Sequence, residues 1–119
     1  MKVYRVQSRS DRTRGAYCSP LALEPSPKIV KEMAFQHNKF WVEGIAKGVN
    51  NHPGPSDDYG INRNMRLNEH CGFDSAAKLL RWFKGFIPEL LRAGYEIVVL
   101  QDVTVTAVGE HQVLFIWNE

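Results

Sequence analysis

The sequence predicts an α+β fold: a small, mostly antiparallel sheet with two or three helices grouped against it. Three observations carry this reading. A short alternating segment opens the chain, two helix-type segments stand together between residues 75 and 93, and three β-type segments crowd into residues 95 to 117. Strands and helices do not alternate along the chain, so a parallel, doubly wound sheet is not expected.

The first strand spans Lys2 to Gln7, with Val3 and Val6 flanking Tyr4 and Arg5. Residues 8 to 27 are rich in Ser, Arg, Gly and Pro and read as a long loop. Pro27 can open a helix at its first turn, and Lys28 to Phe35 supports one. Residues 40 to 49 fit helix and extended chain equally. From Asn50 to Gly60 the chain holds His52, three breaker residues (Pro53, Gly54, Pro55) and the acidic pair Asp57 and Asp58, a pattern without regular structure.

The clearest helix runs from Ala76 to Phe83, capped by Asp74 or Ser75, with Leu79, Leu80, Trp82 and Phe83 as its apolar residues. Gly85 interrupts it. Pro88 opens a second helix, Glu89 to Ala93, and Gly94 ends it. Tyr95 to Leu100 reads as a buried-type strand because Ile97, Val98 and Val99 run together. Val103 to Val108 alternates Val and Thr in a further strand. Gly109 makes a turn, and Gln112 to Trp117 returns as the last strand of a hairpin.

At 119 residues the chain has single-domain length, so residues 1 to 119 are expected to share one core. A content of 44% apolar and 24% charged residues excludes a disordered chain. No apolar run approaches the roughly 20 residues that span a bilayer, so no membrane partner is expected. The start, Met1-Lys2-Val3-Tyr4-Arg5, does not read as a signal peptide. Cys18 and Cys71 are too few for a disulfide scaffold, which favours a reduced, cytoplasmic setting. No repeat, coiled-coil heptad or symmetric pattern speaks to the oligomeric state.

Charge is unevenly placed. Lys2, Arg5, Arg9, Arg12 and Arg14 stand against Asp11 alone, whereas Glu96, Asp102, Glu110 and Glu119 have no basic neighbour after residue 93. If the two ends share a sheet, they attract. If the basic end faces outward, it can hold phosphate. Nucleic acid is not an expected partner: there is no helix-turn-helix spacing, zinc-finger pattern or long basic run.

Several segments together resemble a known group. They are Tyr4-Arg5-Val6, Gly15-Ala16-Tyr17, His52-Pro53-Gly54-Pro55 and Cys71-Gly72-Phe73-Asp74-Ser75. Leu79-Leu80-Arg81-Trp82-Phe83 and Gly109-Glu110-His111-Gln112-Val113-Leu114-Phe115 complete the layout. It resembles small bacteriophage proteins that mostly lack an assigned function, and the resemblance spans the chain. It implies the cytoplasm of a bacterial host.

More weakly, the layout resembles the ADP-ribosyltransferase fold of the arginine-serine-glutamate type. Arg5 matches that family's first-strand Arg. Ser75 stands near its middle element, but the Ser-Thr-Ser strand is missing. Glu110-x-Gln112-Val113-Leu114 matches the closing motif in place, with Gln112 where the family carries its catalytic carboxylate. That carboxylate stabilises the positive charge that develops on the ribose as the nicotinamide bond breaks. Gln cannot supply that charge, although it can hydrogen-bond a ribose hydroxyl. Glu110, two residues earlier, would share its strand face and could substitute.

The resemblance therefore implies a domain that binds NAD or a related nucleotide, with weak or lost transferase activity. Arg5 would hold phosphate, Tyr17 would stack, Ser75 and His52 would contact the ligand, and Glu110 with Gln112 would meet the ribose. The alternative is a non-enzymatic phage accessory protein that binds and inhibits a host protein, such as a component of antiviral defence or transcription.

Each residue also has a plainer reading. Arg5 can pair with an acidic strand neighbour such as Glu110. Tyr17 can anchor its loop. His52, Asp57 and Asp58 include metal-ligand types, but their spacing fits no zinc pattern, so no metal is expected, and Asp side chains here can cap turns. Cys71 lacks a well-placed base, because adjacent His70 would point away in an extended chain, and reads as a small buried residue. Ser75 reads most simply as a helix cap.

Overall fold

The computed structural model describes residues 2–16, 29, 55 and 58–118, and these form a mixed α+β structure with antiparallel sheets and two helices. In chain order the elements are β1 (Val3–Ser8), β2 (His70–Gly72), α1 (Ala76–Trp82), α2 (Ile87–Arg92), β3 (Tyr95–Leu100), β4 (Val103–Val108) and β5 (Val113–Trp117). The expected helix over residues 28 to 35 and the undecided segment over 40 to 49 lie outside the described residues, apart from Ile29.

β1 pairs antiparallel with β3, Val3 opposite Leu100 and Ser8 opposite Tyr95. β5 sits between β2 and β4, antiparallel to both. The two sheets are stitched together just past β2. Tyr4 and Phe73 exchange both backbone hydrogen bonds, at 2.7 and 2.8 Å. The working order is thus β3-β1-β2-β5-β4. Its end strands are linked by Gln101 and Asp102 alone, a span of about 10 Å at most. The end of β3 and the start of β4 therefore lie close, and Leu100 and Val103 pack against the same cluster.

Period-two alternation on β1 divides the interior. Val6 faces α1 and α2 and packs with Phe73, Leu79, Phe83, Leu90 and Tyr95. Val3 points to the opposite face, where it packs with Val113 and Phe115, and Leu100, Val105 and Trp117 lie beside them. Burying a side chain such as Phe115 or Leu79 contributes roughly 1.5–3 kcal/mol, and both are almost fully enclosed.

α1 starts where its cap dictates: the Ser75 hydroxyl accepts from the Lys78 N–H. α2 begins at Ile87 rather than Glu89, with Pro88 in its first turn, where a missing N–H costs nothing. One expectation needs correction. β3 is not a buried strand, because Ile97 is 40% and Val99 48% exposed. The helices cover it at Tyr95, and among the described residues β3 pairs with β1 alone. No helix among the described residues is long and apolar enough to cross a membrane.

Candidate functional site

The side chain that defines the site is Arg5. It shares its face of β1 with Val3 and is 3% exposed. Its Nη1 donates to the Cys71 carbonyl on β2. Its guanidinium carbon lies 5.5 Å from the Phe115 ring centre and 5.7 Å from that of Trp117, both on β5. Nε is buried without a hydrogen-bond partner. Among the described residues no carboxylate lies within ion-pair distance of it, and the expected pairing with Glu110 does not form. Burial is the largest influence on this group and works against its charge, while Cys71 offsets part of the effect. A guanidinium stays protonated even so, so this is a buried positive charge with no anion beside it among the described residues.

The turn after β1 completes the surroundings. Part of the predicted long loop is in fact a tight fold-back. Asp11 accepts from the Thr13 N–H and hydroxyl, Ser8 N–H bonds to the Arg14 carbonyl, and Gly15 bridges to Gln7. A Cβ on Gly15 would lie 3.2 Å from Arg5 Nη2, so a glycine lets the backbone settle over the guanidinium. The fold-back carries exposed Arg12 to 4.8 Å above the Trp117 ring. His70 packs on the same ring at 4.5 Å between centres. Burial first, and then the charges of Arg5 and Arg12, hold the His70 imidazole below its ordinary pKa. The result is a half-open aromatic surface ringed by Arg5, Arg12 and His70, suited to an anion.

Among the proposed contacts that fall on described residues, Arg5 alone lies in this constellation. Ser75 caps α1 through its hydroxyl. Glu110 is exposed on the β4–β5 turn, where its N–H bonds to the Tyr59 carbonyl at 2.8 Å. Gln112 is buried and its N–H donates to Asp58 at 3.1 Å. No hydrogen bond or ion pair joins Arg5 to Glu110 or Gln112 among the described residues. Tyr17 and His52 lie outside the described residues.

A second polar constellation surrounds Asp58, which is fully buried. Its carboxylate accepts from the N–H groups of His111 and Gln112 and meets His111 Nδ1 at 3.0 Å. The loop and the hairpin fit because position 109 has no side chain: a Cβ there would sit 2.3 Å from Asp58 Oδ2. This is the turn-capping role that the sequence allows for Asp58. Among the described residues no three His, Cys, Asp or Glu side chains gather as a metal site.

Residue-by-residue reading missed Arg12 and Trp117 as members of the site. The signal was faint: alternation puts Phe115 and Trp117 on one face, and the basic amino-terminal stretch needs somewhere to point.

The family model described as "Bacteriophage T4 Y00F protein" matches residues 1–119, and the chain belongs to that family. No curated protein and no solved structure matches it.

Proposed function

We propose that this phage protein binds a nucleotide, NAD or a related one, and has lost ADP-ribosyl transfer. The observation that carries the reading is the buried guanidinium of Arg5, which meets no carboxylate among the described residues and leaves Nε unsatisfied. A buried charge is costly unless paired. A phosphate supplies the missing charge and the geometry that a guanidinium grips well. The loss of transfer follows from two facts together. Position 112 is neutral, and Glu110 sits on a turn with no contact to Arg5 among the described residues.

Ligand-observed NMR of NAD with purified protein tests this. The expected result is saturation transfer to NAD with no growth of free nicotinamide. Arg5→Met keeps a long apolar stem and removes the charge, and it should abolish transfer while circular dichroism stays unchanged. Absence of transfer to NAD, ADP-ribose and AMP alike would overturn the nucleotide reading. Release of nicotinamide would overturn the loss of activity and make Glu110 the next residue to change.

A second reading, an accessory protein that binds a host protein, draws support from β3. Its exposed Ile97 and Val99 project from a strand with one described neighbour, a type of edge open to pairing with another chain. Ile97→Lys with Val99→Lys should eliminate any stoichiometric capture of a host protein while leaving nucleotide binding intact.

A further inference from the structure

We propose that Trp117 is the platform on which the ligand's aromatic base stacks, and that Arg12 is the residue the base displaces. The inference rests on the nucleotide reading above and narrows it: the ligand class is a mononucleotide rather than a bare phosphate or sugar phosphate.

The Trp117 indole is held by two aromatic neighbours. Phe115 meets its edge at 5.1 Å and 82°, and His70 leans on it at 4.5 Å and 60°. These two contacts fix the ring. Buried Arg5 and exposed Arg12 bring their guanidinium carbons to 5.7 and 4.8 Å from its centre. The two cations are not equivalent. Arg5 is tied to the Cys71 carbonyl and enclosed. Arg12 is exposed, and its contact with Trp117 is the interaction the structure records for its side chain. It rides on the fold-back held by Asp11, whose own bonds involve Thr13 and Arg14 rather than Arg12.

The contact of an exposed cation with an aromatic ring is worth little in water, so a planar base can replace it at small cost. Base–aromatic stacking tolerates any base because each has a π-face. The displaced guanidinium is long enough to turn toward the phosphate. There it joins Arg5 and His70, and two or three donors converge on one anion. Base and phosphate subsites thus lie side by side, and a mononucleotide spans both.

The test compares inorganic phosphate, ribose 5-phosphate and AMP by calorimetry with the full chain. Trp117→Leu and Arg12→Ala are the variants, and circular dichroism checks the fold of each. AMP should bind at least tenfold more tightly than ribose 5-phosphate. Trp117→Leu should collapse that ratio to within about twofold while ribose 5-phosphate binding persists. Arg12→Ala should weaken AMP more than ribose 5-phosphate, because only a base frees Arg12 for the phosphate, and should lower their ratio only partway because stacking on Trp117 remains.

The difference in tryptophan emission between the parent and Trp117→Phe should carry most of the quenching by AMP. Equal affinity for AMP and ribose 5-phosphate in the parent would overturn the stacking platform and leave the phosphate reading standing. A ratio that survives in Trp117→Leu would place the base elsewhere. Failure of all three ligands to bind would overturn both readings.

Discussion

Replacing Asp58 by Ala removes one carboxylate and three hydrogen bonds: those from the His111 and Gln112 N–H groups and the contact with His111 Nδ1. Gln112 is buried, so its N–H is left without water, which costs about 1–3 kcal/mol. His111 is half-buried and can recover part of its loss from solvent. The sum is roughly 2–4 kcal/mol, a large share of the 5–15 kcal/mol typical of a domain. For a chain of this size that lowers Tm by about 10 °C.

Gly109→Ala attacks the same contact from the other side, because its Cβ would lie 2.3 Å from Asp58 Oδ2 and 2.9 Å from Ile61 Cδ1. Urea unfolding of both single variants and the double variant forms a cycle. Gly109→Ala should be strongly destabilising in the parent and much milder once Asp58 is Ala. A loss below about 1 kcal/mol for Asp58→Ala would refute the turn-stapling role. So would equal cost of Gly109→Ala in both backgrounds.

Three further outcomes are expected. Glu69 is gripped by a bidentate Arg63, at 2.7 and 2.8 Å, by the Thr106 hydroxyl and by the Arg66 N–H, which hold its carboxyl well below the usual range. A depressed folded pKa stabilises above the unfolded value, about 4.3, and that stability drains as pH falls below it. Tm measured from pH 7 to 3 should therefore drop less steeply for Glu69→Gln than for the parent. His70 is likewise depressed, so its protonation opposes folding, and stability should decline as pH falls through about 6.5. In an NMR titration Arg12→Ala should raise the His70 pKa, while burial keeps it below that of a free imidazole. Ser75→Ala should cost about 1 kcal/mol by loss of the α1 cap and leave NAD affinity unchanged, which thermal melts and calorimetry can check.

The carboxy-terminal strands were legible because β-branched residues and a turn glycine mark them locally. Val103–Val108 has the predicted bounds, and β5 begins one residue after Gln112. The bulge between Val105 and Ala107 was not legible, because it depends on a partner. It lets Thr106 leave the ladder and reach Glu69, whose place in the chain gives no hint of such a contact. β2 is three residues long and contains a glycine, so only pairing with β5 makes it a strand. Arg5 stood out in the sequence as a charge between apolar neighbours. Its companions did not, because a turn over residues 9 to 15 and two distant strands must assemble before Arg12, His70 and Trp117 meet.

The position of β1 also governs how the molecule comes into being. β1 is made before every other described strand, yet it lies between β3 and β2. One side waits for Phe73 and the other for a strand in which Leu100 meets Val3. Neither neighbour exists while the amino-terminal half is being made, and each closure spans a long stretch of chain. High contact order of this kind slows folding to the millisecond range or beyond. The sheet can zip up only after β3 to β5 have been made. Until then Val3 and Val6 remain uncovered, so the nascent chain is most vulnerable to aggregation and proteases in the interval before its last strands emerge.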